Sequence, residues 1–368
     1  MNSSADTSPS APSPGPEGGG RARHRRFGIV AGVDGSEQSL RAAHWAAAEA
    51  HRRQLPLTVV TAYSLPAFAA SSMDGGYALM DDSSLRQGAE KVIGQAREFL
   101  RDYPGQVEYL IESGDPSGVL LDFSQEAHVL VVGSRGRGGF LGRMLGSVSS
   151  AIPAHAQCPT VVVPLKFSSQ ESNAVTTATG AIPIVAASGS PGTEAPEELI
   201  QEGAHPIRTR DRRPVAAGVD GSDYGRVAAL AAAREASERG TTLRIVCALP
   251  PLGATLVWIP THVEDESAVE QLREKLESGR DWLHSHYPDL RIEAAVVDGA
   301  AVDVLVEETR HAQLTVVGTR GRGGFAGMLL GSTSQGVLHH AEGPVMVVPE
   351  VDDRRIENRR EFGPVLGE

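Results

Sequence analysis

One glycine-rich stretch occurs twice in this chain, as GSRGRGGFLGRMLGS over 133–147 and as GTRGRGGFAGMLLGS over 318–332. Both stretches keep the spacing Gly, two residues, Gly, nine residues, Gly-Ser, through Gly133, Gly136, Gly146, Ser147 and Gly318, Gly321, Gly331, Ser332. Each follows a β-branched apolar run, Val129–Val132 or Leu314–Val317. A buried strand that opens into glycines and then a helix start is a way α/β proteins hold phosphate, because bare backbone N–H groups and the positive end of the helix dipole face the anion.

The duplication is wider than this loop. VAGVDGS at 30–36 returns as AAGVDGS at 216–222, placing Asp34 and Asp220 at a separation of 220 − 34 = 186 positions. The loop glycines are separated by 318 − 133 = 185, and Pro159 and Pro344, which open the closing apolar runs, by 344 − 159 = 185. Colinear landmarks of this kind mean two copies of one fold. Each copy is about 140 residues, an ordinary domain size.

The flanks divide the chain further. Residues 1–25 are Ser/Pro/Gly-rich and 166–211 are Ser/Thr/Ala/Pro-rich, with an acidic patch at Glu194–Glu202. Neither has helical or strand periodicity, so both are expected to be disordered, around copies at 26–165 and 212–350. The last segment, 351–368, is expected to fray. The basic cluster Arg21–Arg26 is expected to be a solvated part of the tail. A linker of this length allows the two copies to meet face to face inside one molecule.

Strand runs at Phe27–Val33, Leu57–Tyr63, Val107–Ile111, Val129–Val132 and Val161–Val163 alternate with helical patterns in the first copy. Ser36 is placed to cap a helix running to about Arg53, an amphipathic helix follows over 85–100, and Pro116 and Ser147 open two more. Residues 64–83 and 249–266 are irregular excursions of different sequence. The second copy repeats the order, its amphipathic helix carrying Val269, Leu272, Leu276 and Leu283. Unbroken apolar strands alternating with helices imply an α/β fold with a parallel sheet covered on both faces, doubly wound by right-handed crossovers. Ligands of such sheets bind beyond the carboxyl ends of the strands, where the strand order reverses. The Asp34 turn and the Gly133 loop both lie there and are expected to share one crevice.

In that crevice Gly136, Gly138 and Gly139 would let backbone approach a ligand. Gly146-Ser147-Val148-Ser149 would offer free first-turn N–H groups and two outward hydroxyls. Asp34 and Asp220 would hold a ribose hydroxyl or a phosphate-bound Mg²⁺, or alternatively cap the following helix. Arg135, Arg137, Arg320 and Arg322 would neutralise phosphate or lie on open surface. His128 and His311 read as ordinary surface residues, and no cluster has metal-ligand spacing.

Several classes are excluded. The net charge of −12 argues against nucleic acid as a partner. No stretch approaches the roughly 20 apolar residues of a membrane span, and the amino-terminal residues lack the apolar segment of a secretory signal. Cys158 and Cys247 stand at non-equivalent positions in the two copies, which fits a reducing cytoplasm better than a disulfide framework. There is no G-x-x-x-x-G-K-[ST] phosphate loop and no G-x-S-x-G nucleophile elbow. The glycines follow a late strand, so a dinucleotide fingerprint does not fit either.

Together, the loop after the fourth strand, the opening V-D-G-S turn and the closing apolar strand resemble the universal stress protein family in its tandem-domain form, over about 26–165 and 212–350. The resemblance is to the ATP-binding branch. It implies, for each copy, a five-stranded parallel sheet of the Rossmann-like, adenine-nucleotide-binding type, with a last strand that pairs domains. It further implies that ATP, with Mg²⁺, touches Gly32, Val33 and Asp34, that backbone near Ala62 reads adenine, and that Val132, Gly133, Arg135 and Gly136 line ribose and the first phosphate. Gly146, Ser147, Val148 and Ser149 would hold the outer phosphates. The second-copy set is Gly218, Val219, Asp220, Ala248, Val317, Gly318, Arg320, Gly321, Gly331, Ser332, Thr333 and Ser334. Asp115, in Gly114-Asp115-Pro116, has no counterpart in Gly299-Ala300-Ala301, so any role it has is not shared.

The expected protein is therefore a cytoplasmic, ATP-binding stress regulator with two sites and intramolecular pairing of its domains, homodimerisation being left open. No placed general base or nucleophile supports rapid catalysis, and slow ATP hydrolysis stays open. Two alternatives stand beside it: a nucleotide-independent dimerisation scaffold, and an adenylating enzyme on the same fold, although AGVDGS lacks the paired glycines such an enzyme needs after its first strand.

Overall fold

A computed structural model describes residues 27–64, 82–136, 145–165, 167, 211–249, 266–321, 329–350 and 353–357. The first copy comprises β1 (Phe27–Gly32), α1 (Glu37–Arg53), β2 (Leu57–Tyr63), α2 (Asp82–Phe99), β3 (Val107–Ser113), α3 (Pro116–Ser124), β4 (Ala127–Gly133), α4 (Ser147–His155) and β5 (Thr160–Val163). The second comprises β6 (Val215–Gly218), α5 (Asp223–Arg239), β7 (Leu243–Leu249), α6 (Glu266–His286), β8 (Ile292–Asp298), α7 (Ala301–His311), β9 (Leu314–Gly318), α8 (Ser332–His340) and β10 (Val345–Val348). In the segment expected to fray, one helical turn, α9 (Arg354–Glu357), forms, with Asp353 accepting the Arg355 N–H at 2.9 Å. The expectations for 1–25, Arg21–Arg26, nearly all of the 166–211 linker, the two excursions and the loop residues Arg137, Gly138, Gly139 and Arg322 lie outside the described residues.

Helices α1 and α5 show how sequence becomes packing. Ser36 caps the first, accepting the Ser39 N–H at 3.2 Å, and Ser222 caps the second, accepting the Gly225 N–H at 3.1 Å. Both helices end on a left-handed residue, Gln54 and Gly240. Between these ends Ala42, Ala43, Ala46, Ala47 and Ala50 are fully buried, as are Ala228, Ala232, Ala233 and Ala236. Alanine keeps each helix close to the sheet and adds little side-chain entropy cost.

The strand order is β3-β2-β1-β4-β5-β10-β9-β6-β7-β8 in one ten-stranded sheet. Within each copy all pairs are parallel. The single antiparallel pair is β5 with β10, in the register Val345↔Val162, Met346↔Val161, Val347↔Thr160. The copies thus join edge to edge, not face to face. The reason is that each four-residue outer strand is apolar on both faces and exposes unpaired backbone N–H and C=O groups until another strand covers them. Antiparallel pairing reverses strand direction, so the two switch points, at β1/β4 and β6/β9, open on opposite edges of the sheet.

Edge pairing also brings the carboxyl ends of α1 and α5 together. Glu49 of α1 accepts from Arg52 and Arg53 on its own helix and from Arg239 of α5 at 2.8 Å. Glu235 of α5 accepts from Arg53 of α1 and from Arg239 at 3.3 Å. Glu49 and Glu235 are 235 − 49 = 186 positions apart, and Arg53 and Arg239 are likewise 239 − 53 = 186, so the repeat generates a reciprocal pair of cross-copy bridges. The four side chains are 1–8% exposed. Burial alone would raise the Glu235 carboxyl, but Arg53 and Arg239 outweigh it and hold that carboxyl below its ordinary range. Arg239 also lies over the Trp45 ring, 5.8 Å from its centroid.

Removing one partner from a buried ion cluster leaves an uncompensated charge and costs about 3–5 kcal/mol. Arg239→Ala should therefore lower the urea midpoint by a corresponding amount; a change within experimental scatter would show that the cluster contributes nothing. A carboxyl depressed in the folded state stabilises above its unfolded pKa, and that contribution is lost as pH falls through the folded value. Glu235→Gln should accordingly give a shallower fall of stability on the acid side than the parent chain, read from denaturation midpoints across the carboxylate range.

Candidate functional site

At the end of β1 the Val33 N–H still bonds to the Val60 carbonyl, at 2.9 Å, and then the chain turns through Gly35 at φ +80°. A positive φ at this turn suits glycine, which has no Cβ to clash. Asp34 Oδ1 accepts the Ser36 N–H at 3.0 Å and the Ser36 hydroxyl at 2.6 Å, while the Asp34 N–H bonds to Ser39 Oγ at 3.2 Å. The second copy repeats the turn: Gly221 sits at φ +80°, and Asp220 Oδ1 accepts the Ser222 N–H at 3.0 Å and its hydroxyl at 2.5 Å. The alternative in which Asp34 and Asp220 cap the helix is thereby corrected. Serine is the cap, and the aspartate buttresses it with one oxygen.

The other oxygen faces the glycine loop. A Cβ added at Gly136 would collide with Asp34 Oδ2, and one at Gly321 would stand 2.6 Å from Asp220 Oδ2. Turn and loop therefore meet in each copy at the carboxyl ends of the strands. The loop leaves and returns at one place. The Ser134 N–H bonds to Val163 O at 2.8 Å and the Gly146 N–H to Ser134 O at 3.0 Å; in the second copy Thr319 bonds to Val348 O at 3.1 Å and Gly331 to Thr319 O at 2.7 Å.

Gly146 and Gly331 are the N-caps of α4 and α8, and neither offers a side chain to the first turn. The first-turn N–H groups, those of Ser147, Val148 and Ser149 and of Ser332, Thr333 and Ser334, have no partner inside their own helix. The hydroxyls divide. Ser147 and Ser332 are exposed, whereas Ser149 Oγ donates to Gly133 O at 2.6 Å and Ser334 Oγ to Gly318 O at 2.6 Å, both buried. The expectation of two outward hydroxyls is thus corrected to one; the other ties the helix start to the strand end.

Four candidate glycines have packing reasons as well. A Cβ at Gly32 or Gly218 would stand 2.7 Å from a methyl of Leu120 or Leu305, and one at Gly133 or Gly318 would press on backbone of Gln38 or Tyr224 at 3.1 and 2.7 Å. Val33, Val132 and Val317 are buried in the core, and Val219 packs against it half-buried. Ala62 and Ala248 stand late in β2 and β7, half-buried, paired with Glu112 and Val297. Asp115 is accounted for outside the crevice: it caps α3, accepting the Gly118 N–H at 3.0 Å, where Ala300 gives α7 no such bond. His311 lies on the surface 3.0 Å from Glu307, and no group of three metal-ligating side chains occurs among the described residues.

The two loop arginines differ in surroundings. Arg320 Nη1 donates to the Tyr224 hydroxyl at 3.1 Å, with its guanidinium 5.7 Å from the ring centroid, and the hydroxyl donates to Glu350 at 2.9 Å. Burial, with Glu350 adding to it, raises the Tyr224 phenol. The equivalent positions of the first copy are Gln38 and Leu165, so this tyrosine–glutamate pair is particular to the second copy. Tyr224 and Glu350 belong to no motif, and only a position-by-position comparison of the two copies beyond the glycines singles them out.

The model of the Universal stress protein family matches residues 28–164 and 211–349. Universal stress protein Rv2623 of Mycobacterium tuberculosis is 33% identical over 339 residues, covering 88% of this chain and 97% of that protein. Universal stress protein Rv2005c of the same organism is 32% identical over 328 residues, with the same coverage. Among solved structures, a universal stress protein from Archaeoglobus fulgidus has a TM-score of 0.55 at 16% identity, over 89% of this chain and 97% of that one, a likeness of fold.

Because a serine cap contributes about 1 kcal/mol and also anchors the crevice aspartate, Ser222→Ala should lower stability by about that amount. Differential scanning calorimetry of the full chain is the measurement, and an unchanged melting temperature would refute the role.

Proposed function

Since the chain belongs to the universal stress protein family, we propose that it is an ATP-binding regulator with two nucleotide sites, one at each switch point of the sheet. The observation that carries this reading is the repeated pairing of an uncapped helix start with an anchored aspartate. In each copy three first-turn amides stand at the return of a glycine loop whose Gly136 or Gly321 meets Asp34 or Asp220. Amides at a helix start attract anions, and each charge-assisted hydrogen bond contributes roughly 1.5–3 kcal/mol. Three or four such bonds together with base stacking reach the ~8 kcal/mol of a micromolar site.

In this reading adenine lies over backbone near Ala62 or Ala248, and ribose and the first phosphate lie near Asp34, Gly133, Arg135 and Gly136 or their counterparts. The outer phosphates meet Gly146–Ser149 or Gly331–Ser334. The carboxylate of Asp34 or Asp220 is a hard oxygen ligand of the kind Mg²⁺ takes, and the ion would supply charge neutralisation at the phosphates. The nucleotide acts as a conformational or associative signal, and rapid turnover is not part of the proposal. A cytoplasmic setting fits two buried, free cysteines.

Titration calorimetry tests this. The full chain should bind two equivalents of Mg·ATP; Gly146→Val should abolish one and Gly331→Val the other, each leaving its neighbour intact. Two-site stoichiometry retained in both variants, or no heat with the parent chain at high protein concentration, would overturn it, the second result leaving the nucleotide-independent scaffold.

A further inference from the structure

Beside the start and return of the first glycine loop, at Ser134, Arg135 and Leu145, lies a cavity of about 430 Å³ that both copies line. Arg135, Leu145 and Leu165 form the first copy's wall, and Arg310, His339 and His340 form the second's. Sheet order explains the placement. Passing from β2 across β1 and β4 to β5 leads from Ala62, past Asp34 and Arg135, to Leu145 and the start of α4. Because β10 runs antiparallel to β5, the amino end of β10 stands beside the carboxyl end of β5, bringing the last turn of α8 and the outer face of α7 with it. The cavity begins where the outer phosphates of a nucleotide in the first crevice would end.

We propose that the first site takes a dinucleoside polyphosphate, with one nucleotide in the crevice and the far nucleoside in the cavity between the copies. This rests on the nucleotide reading above and extends it. The volume lies within the about 300–1,000 Å³ of small-molecule sites. A bridging polyphosphate would run between Arg135 and Arg310, and guanidinium groups are suited to phosphate by their forked donors. Leu145, Leu165 and the two histidine rings offer apolar and planar surface to a base, Leu165 being 44% exposed. Asp303 and Glu342 also face the cavity, Glu342 accepting from Arg310 at 3.1 Å. Carboxylates can accept from ribose hydroxyls and exocyclic amines, groups the far nucleoside carries and a bare phosphate lacks.

The second site is built differently. By the 185-residue offset of Pro159 and Pro344, the first-copy counterparts of Asp303, Arg310, His339 and Glu342 are Gly118, Gln125, Ala154 and Gln157. The flank that the first copy presents to the second crevice thus lacks the charges that the second copy presents to the first. The counterpart of Leu165 is Glu350, which is engaged with Tyr224.

Titration of the full chain with Mg·ATP and with diadenosine pentaphosphate decides the matter. The dinucleotide should bind one site per chain about tenfold tighter than ATP, the gain of one charge-assisted contact. Gly331→Val should keep that preference and Gly146→Val should remove it. Arg310→Gln combined with His339→Ala writes in residues with which the first copy already folds; it should abolish the preference while ATP affinity is unchanged. Equal affinity for both ligands, or a preference that survives the double substitution, overturns this inference and leaves the ATP reading standing. Absence of binding by either ligand overturns both.

Discussion

Antiparallel pairing of β5 with β10 is the contact on which the arrangement of the remaining parts depends. Each strand has four residues, all buried, and each would be an open edge in an isolated copy. Their union turns two five-stranded layers into one sheet and hides both edges. It also reverses one copy relative to the other, which sends the two crevices to opposite sides and draws α1 and α5 together. The buried Glu49, Arg53, Glu235 and Arg239 follow from that union, since neither helix alone supplies the complete set of partners.

The same union couples places that are distant in sequence. Helix α1 has the Asp34 turn at its first residue and the interdomain ion cluster in its last turn, and α5 has the equivalent ends. One 17-residue helix therefore belongs to a crevice and to the seam at once. The repeat makes the seam symmetric in its charges, but the crevices have diverged around their shared core. Tyr224 and Glu350 hold Arg320 in one, where Gln38 and Leu165 stand in the other, and the charged Asp303, Arg310 and Glu342 beside the first loop have uncharged counterparts in the first copy.

Much of the fold could be read directly. Short β-branched runs alternating with capped or amphipathic helices announce a parallel layer, and Ser36 and Ser222 announce their helices, because capping and periodicity act within a few residues. The meeting of the Asp34 turn and the Gly133 loop was legible too, since both lie at carboxyl strand ends. The direction of the Ser149 hydroxyl is not legible in sequence, because a hydroxyl near a helix start can turn to a ligand or to backbone, and only the position of the Gly133 carbonyl decides between them. The copies were expected face to face because linker length limits reach but carries no direction.

The residue order alone determined that there are two copies, which strands each contains, and which glycine loops lead into the uncapped starts of α4 and α8, since these depend on local spacing and on glycine and serine chemistry. Tertiary structure decided that the copies join by their edges, that four charges are buried at the seam, and that the second copy lines a cavity beside the first glycine loop. Those outcomes depend on which surfaces meet after the strands have formed, and residues from opposite copies carry no local pattern that declares the meeting.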